Sequence, residues 1–219
     1  MAASTCTDPE PVTALTNLDV DDLSLWRGER MLFRHLSFSL RAGEALALEG
    51  PNGAGKTSLL RAIAGFLEPR AGTIRLRTND GGEASNHDER GAFIGWLGHH
   101  DGARSQLTAS EALGFFVRYY GSGANIATAL ASVGLGRVCD LPVQYLSAGQ
   151  KRRLALARLS LSPRPLWLLD EPLAALDIAG KALAAELIAA HCKAGGLAIA
   201  ATHEPLGVDC ARLVLKASS

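Results

Sequence analysis

Glu44-Ala45-Leu46-Ala47-Leu48-Glu49-Gly50-Pro51-Asn52-Gly53-Ala54-Gly55-Lys56-Thr57 is an apolar strand-like run that ends in a glycine-rich loop. Its last eight residues fit GxxxxGK[ST], and the sequence that follows predicts a helix from Thr57 to Phe66. As plain structure the loop is costly. Gly50, Gly53 and Gly55 fall within six residues, and each gives up roughly 0.5–1 kcal/mol of backbone freedom relative to alanine. Lys56 also stands at a helix N-terminus, the end where the dipole disfavours a cation. A polyphosphate in the loop removes both objections: bare backbone lets amide N–H groups converge on its oxygens while the lysine meets its terminal phosphates. Thr57 then offers its hydroxyl to Mg²⁺. A mere glycine-rich turn with an exposed lysine leaves both features unexplained.

Working outward, Leu166-Trp167-Leu168-Leu169-Asp170-Glu171 is an apolar strand ending in two acids. In an α/β sheet such acids stand at the carboxyl edge, where ligands bind. Unpaired buried carboxylates cost several kcal/mol, so a metal or a water-bearing cleft suits them better than a dry core. Asp170 is a candidate Mg²⁺ ligand, and Glu171 a candidate for polarising an attacking water. The plainer alternative is a pair of strand-end acids capping the next helix.

The remaining pattern predicts a P-loop α/β fold: a mainly parallel sheet with an N-terminal antiparallel β portion and a helical subdomain. Residues 1–17 read as a flexible tail and 18–219 as one domain, with the helical part at about 100–163. Residues 78–91, TNDGGEASNHDERG, read as polar loop. GLAIAAT is a further buried strand. Hydrophobic residues make up 47% of the 219 and aromatics 5%, so the core is expected to be aliphatic. Lys plus Arg and Asp plus Glu balance at 22 each, which argues against a nucleic-acid partner. The one basic run, Lys151-Arg152-Arg153, reads as a solvated helix face. Cys6, Cys139, Cys192 and Cys210 form no CxxC or CxxCH, so no zinc site, redox motif or covalently held haem is indicated. The first residues lack the basic flank and apolar core of an export signal. No apolar stretch reaches the roughly 18–20 residues of a membrane span.

Leu146-Ser147-Ala148-Gly149-Gln150 resembles the signature LSGGQ of ABC ATPases, with alanine at one glycine. Together with the phosphate loop and the strand-end acids, it makes the chain from about residue 18 similar to that family. The resemblance implies an ATP hydrolase with ATP and Mg²⁺ as its ligands. It would work as a homodimer in which Ser147 and Gly149 close on the γ-phosphate held by the other copy, beneath integral-membrane subunits at the cytoplasmic face of a bacterial inner membrane. It also implies that Leu176-Asp177 crosses the dimer interface and that His203 contacts the γ-phosphate. Trp26 would stack on adenine, and His99 would stand where the family has a Mg²⁺-touching glutamine. The histidine, Ala148 and the ATHEPL ending further resemble the ATPases of cytochrome c maturation, the ATP-binding subunits of a haem exporter. An exporter ATPase for a drug or lipid is the alternative. A soluble ABC protein acting on ribosomes or DNA fits less well, since this chain carries neither a second cassette nor a long coiled coil.

Overall fold

The structure, a computed structural model, describes residues 14–98 and 105–216. In chain order the elements are β1 (Leu15–Arg27), β2 (Arg30–Arg41), β3 (Ala45–Glu49), α1 (Lys56–Ile63), β4 (Ala71–Thr78), β5 (Glu83–Ala84), α2 (His87–Gly91) and β6 (Ile94–Leu97). After them come α3 (Ala109–Tyr120), α4 (Ile126–Ser132), α5 (Ala148–Ser160), β7 (Leu166–Asp170), α6 (Ile178–Lys193), β8 (Leu197–Ala201) and β9 (Ala211–Val214).

Two sheets form. One is antiparallel in the order β2-β1-β4-β5, and the other parallel in the order β6-β7-β8-β3-β9. Strands β7 and β8 are buried along their whole length, as the middle strands of a parallel sheet covered on both faces must be. Alternate residues go to opposite faces. Leu46, Leu48, Leu166, Leu168, Leu197 and Ile199 meet α1 and the antiparallel sheet. Ala45, Ala47, Trp167, Leu169, Ala198 and Ala200 meet Leu156 and Leu159 of α5 and Ile188 of α6. A third cluster joins Leu113 of α3, Leu130 of α4 and Leu154 and Ala157 of α5. Helix α5 thus buries one side in the sheet core and the other among the helices, so its position is set twice.

Four expectations are corrected. Strand β1 starts at Leu15, which is 1% exposed, so residues 15–17 belong to the sheet rather than to a tail. The stretch expected to be loop contains β5 and α2. There the Asn86 side chain caps α2 by accepting from the Glu89 N–H at 2.9 Å. Helix α1 starts at Lys56 and ends at Ile63, short of Phe66. Arg152 is not on a solvated face: it is 4% exposed and donates from Nη1 to the Gly98 carbonyl at 2.9 Å, which satisfies a charge that burial would otherwise penalise.

The core makes a direct prediction. Leu168 is fully buried at the centre of the parallel sheet, so Leu168→Ala should cost about 2–5 kcal/mol through lost contacts and a residual cavity. Urea unfolding should show a lower midpoint with little change in slope.

Candidate functional site

The site begins with strand register. Leu48 of β3 pairs with Ala201 of β8, and Ala201 pairs with Asp170 of β7. Three parallel strands therefore end in one row, and the segments leaving them share one edge. From β3 comes the glycine-rich loop, from β7 the pair Asp170-Glu171, and from β8 the turn Thr202-His203.

The loop's glycines are required by its shape. Gly50, Gly53 and Gly55 have φ of 138°, 80° and 99°, a region that L side chains rarely enter. A Cβ on Gly50 would fall 2.3 Å from the Leu215 carbonyl oxygen beside β9. Gly55 is the N-cap of α1 and supplies no side-chain cap, so the first N–H groups of the helix have only an incoming acceptor to serve them.

Around this loop the polar side chains converge. Lys56, 7% exposed, donates from Nζ to the Gly50 carbonyl at 2.7 Å and lies 3.1 Å from His203 Nε2. The same His203 nitrogen is 3.3 Å from Glu171 Oε1. Thr57 donates from Oγ1 to Asp170 Oδ1 at 2.9 Å, and Asp170 is 6% exposed. Glu171 has φ of 52°, a conformation that costs a non-glycine residue roughly 1–2 kcal/mol. Such strain persists where the surroundings over-determine it; here the Glu171 N–H is fixed to the Ala201 carbonyl at 2.9 Å. Thr202, 2% exposed, accepts from the Glu204 N–H and donates to the Glu204 carbonyl, which sets the turn that presents His203.

Lys56, Thr57, Asp170, Glu171 and His203 line a cleft of about 500 Å³. Arg27, Arg30 and Arg61 line it too, so four cations face two carboxylates, a balance suited to a polyphosphate with a divalent ion. Sequence reasoning missed the three arginines. Arg27 and Arg30 pair across the β1–β2 hairpin, and only folding that hairpin over the loop brings Arg30 to Gly53. Trp26 is not among the lining residues; the guanidinium carbons of Arg34 and Arg70 stand 5.5 Å and 5.2 Å from its ring centre. His99 lies outside the described residues.

Ser147, Ala148 and Gly149 line a different cleft, of about 510 Å³, together with Arg153, Ala175 and Asp177. The two clefts share no lining residue. Ser147 and Gln150 form a capping box at the start of α5: Ser147 Oγ accepts from the Gln150 N–H at 3.2 Å, and Gln150 Oε1 accepts from the Ser147 N–H at 2.8 Å. The serine hydroxyl proton is left to donate elsewhere. A Cβ on Gly149 would come within 2.8 Å of the Ala175 carbonyl oxygen, so glycine is needed there, whereas position 148 accepts a methyl. Asp177 caps α6 and pairs with Arg153 of α5 at 2.6 Å. The Gly180 N–H and the Arg153 guanidinium hold its carboxyl below the usual range.

The family model for the ABC transporter matches residues 33–174. A cytochrome c biogenesis ATP-binding export protein CcmA of Rhizobium meliloti (strain 1021) is 47% identical over 87% of this chain and 92% of its own length. A solved putative ABC transporter ATP-binding protein of Pyrococcus furiosus superposes with a TM-score of 0.78 at 25% identity, covering 91% of this chain and 98% of the other. A dimeric ATP-binding cassette bound to ADP and phosphate shares the fold, with a TM-score of 0.71 at 21% identity over 85% of this chain and 88% of that one. A phosphate loop, strand-end acids and a signature helix on one parallel α/β core, matched over most of the chain, establish that this protein belongs to the ABC transporter family of ATP-binding subunits.

Proposed function

We propose that the chain hydrolyses ATP as a homodimer and drives the integral-membrane subunits of a cytochrome c maturation complex, the export system named in its 47%-identical relative. The observation that carries the dimer is the separation of the two clefts: the phosphate loop and the signature of one chain line different cavities. Two chains facing each other join each loop to the other chain's signature. Among the described residues no helix is long and apolar enough to cross a membrane. In this reading the chain is held by those subunits at the cytoplasmic face of a bacterial inner membrane, the place that an ATP-binding export role like that named for its relative calls for.

In this reading the loop amides from Gly53 to Thr57 and the Lys56 ammonium hold the β- and γ-phosphates. Thr57 and Asp170 fit Mg²⁺: their oxygens are 2.9 Å apart, and Mg²⁺ takes one or two protein oxygens and fills its shell with phosphate and water. Bound there, the ion would neutralise charge on the phosphates. Glu171 accepts the proton of the attacking water as the bond from γ-phosphorus to the ADP oxygen breaks. His203, within reach of both Lys56 and Glu171, donates to the γ-phosphate. Ser147 and the amide of Gly149 donate to the same group from the opposite chain. Trp26 is retained as an adenine contact only if Arg34 and Arg70 move off its ring, and His99 as a Mg²⁺ contact.

Glu171→Gln should lower kcat on the order of 10²–10⁴-fold while ATP affinity stays unchanged, and ATP should then hold the protein as a dimer in gel filtration. Lys56→Ala should instead weaken ATP binding, roughly 10–100-fold for a charge-assisted contact. Wild-type turnover in the first variant would remove Glu171 from its role.

At the signature, Gly149→Ala should depress hydrolysis without changing nucleotide affinity of the monomer, because the added methyl pushes on Ala175. Ala148→Gly should remain active. Equal steady-state rates for Gly149→Ala and the parent would contradict the close packing on which that role rests.

In cells, a strain carrying Glu171→Gln should lose covalently haem-bearing c-type cytochromes while b-type haem proteins persist, read by haem staining of denatured membranes. Normal maturation of the c-type proteins would sink the cytochrome c assignment and leave the ATPase reading standing.

A further inference from the structure

Beyond the C-terminal end of α1, away from the phosphate loop, lies a separate cleft of about 730 Å³ between α1, β4 and α2. Its lining includes Gly65, Glu68, Arg75, Glu83 and Arg90, and nothing in the ATPase chemistry uses it. Arg90 is 6% exposed, yet among the described residues its Nε and Nη1 meet no hydrogen-bond acceptor. Arg75 Nε is likewise buried without an acceptor, and its Nη2 stands 3.9 Å from Asp21 Oδ2. Buried side-chain donors are nearly always satisfied. A buried guanidinium without an acceptor costs more still, and burial alone pulls the Arg90 guanidinium below its ordinary value.

The platform under Arg90 is rigid. A Cβ on Gly65 would fall 2.5 Å from His87 Cβ, and one on Gly72 would fall 2.5 Å from the Asp22 carbonyl oxygen. The end of α1 therefore packs directly on α2, and β4 on β1, with no room to collapse over the arginine. Glu68 and Glu83 are exposed. They tolerate one anionic group deep in the cleft and repel a polyphosphate, so the site differs in kind from the nucleotide cleft. A guanidinium fork matches the two oxygens of a carboxylate or phosphate.

We propose that this cleft binds a single oxyanion, the carboxylate or phosphate group of a small molecule, anchored by Arg90 and flanked by Arg75. An anion against the Arg90 guanidinium offers it an acceptor, so the ligand stabilises the fold as it binds. The ligand contacts neither the phosphate loop nor the signature, and the inference stands whether or not the cytochrome c assignment does.

The test uses the full chain saturated with a non-hydrolysable ATP analogue, so that the phosphate loop is filled, with arginine isotope-labelled for NMR. Succinate and inorganic phosphate are titrated separately. At least one should saturate, shift the Arg90 Nε–H signal and raise the unfolding temperature. Arg90→Gln should weaken that binding by at least about tenfold and leave ATP hydrolysis at the parent rate. Arg90→Lys, which keeps the charge without the fork, should recover only part of it and serves if the glutamine variant folds poorly. No saturable binding of either anion, or equal binding by parent and Arg90 variants, overturns the proposal.

Discussion

Parallel hydrogen bonding of β8 to β3 on one side and β7 on the other sets Leu48, Ala201 and Asp170 in one row, and the chemistry of the main cleft hangs from that row. A slip of one residue in either ladder would turn the buried faces of these strands over. It would also part Thr57 from Asp170, which meet at 2.9 Å across a sequence separation of 113 residues. The fully buried aliphatic strands oppose such a slip, since it would take Leu166 and Leu168 off the side that Leu197 and Ile199 share. Core packing and site geometry are here one constraint.

The signature cleft has a different mechanical basis. Helix α5 is gripped on one flank by the sheet core and on the other by α3 and α4, while its start is fixed by the reciprocal bonds of Ser147 and Gln150. Arg152 and Arg153 extend that grip. The first reaches the Gly98 carbonyl after β6, and the second reaches Asp177 at the start of α6. Helix α5 is therefore tied to the strand leading toward residue 99 and to the turn that follows Glu171. Displacement of either segment is felt at Ser147 through rigid helix rather than through loop, a physical route by which nucleotide and partner contacts can bias one another.

Among the described residues four non-glycine positions take positive φ: Asp22 and His35 in the antiparallel sheet, and two in the turns beside the site. Glu171 and Ala175 both take positive φ; the first stands beside His203, and the carbonyl of the second packs against Gly149. Backbone bonds hold the first, from Glu171 N–H to the Ala201 carbonyl and from Ala174 N–H to the Glu171 carbonyl, and the bond from Leu176 N–H to the Leu173 carbonyl closes the turn around the second. The glycines of the phosphate loop give the same result at lower steric cost, because they lack the Cβ that would collide there.

Sequence by itself determined the parts whose cause is local. Gly50 to Thr57 declares a phosphate loop through glycine spacing and a lysine in an unfavourable place. Asp170-Glu171 declares a strand-end site through an abrupt change from apolar to acidic. The capping box of Ser147 and Gln150 is equally local, although the sequence drew notice to Ser147 only through its resemblance to the signature. Tertiary structure alone decided what depends on distant partners. Arg27 and Arg30 enter the cleft beside the glycine-rich loop only once the hairpin folds over it, and Arg61 joins them from α1. Arg152 is buried because Gly98, 54 positions away, offers it a carbonyl. Strand β9 exists because β3 has a free edge for it, and Arg90 lacks an acceptor because α2 packs against the end of α1. Hydrophobic period and turn chemistry act within a few residues and are written along the chain, whereas the burial of a charge is settled by whichever backbone the fold brings beside it.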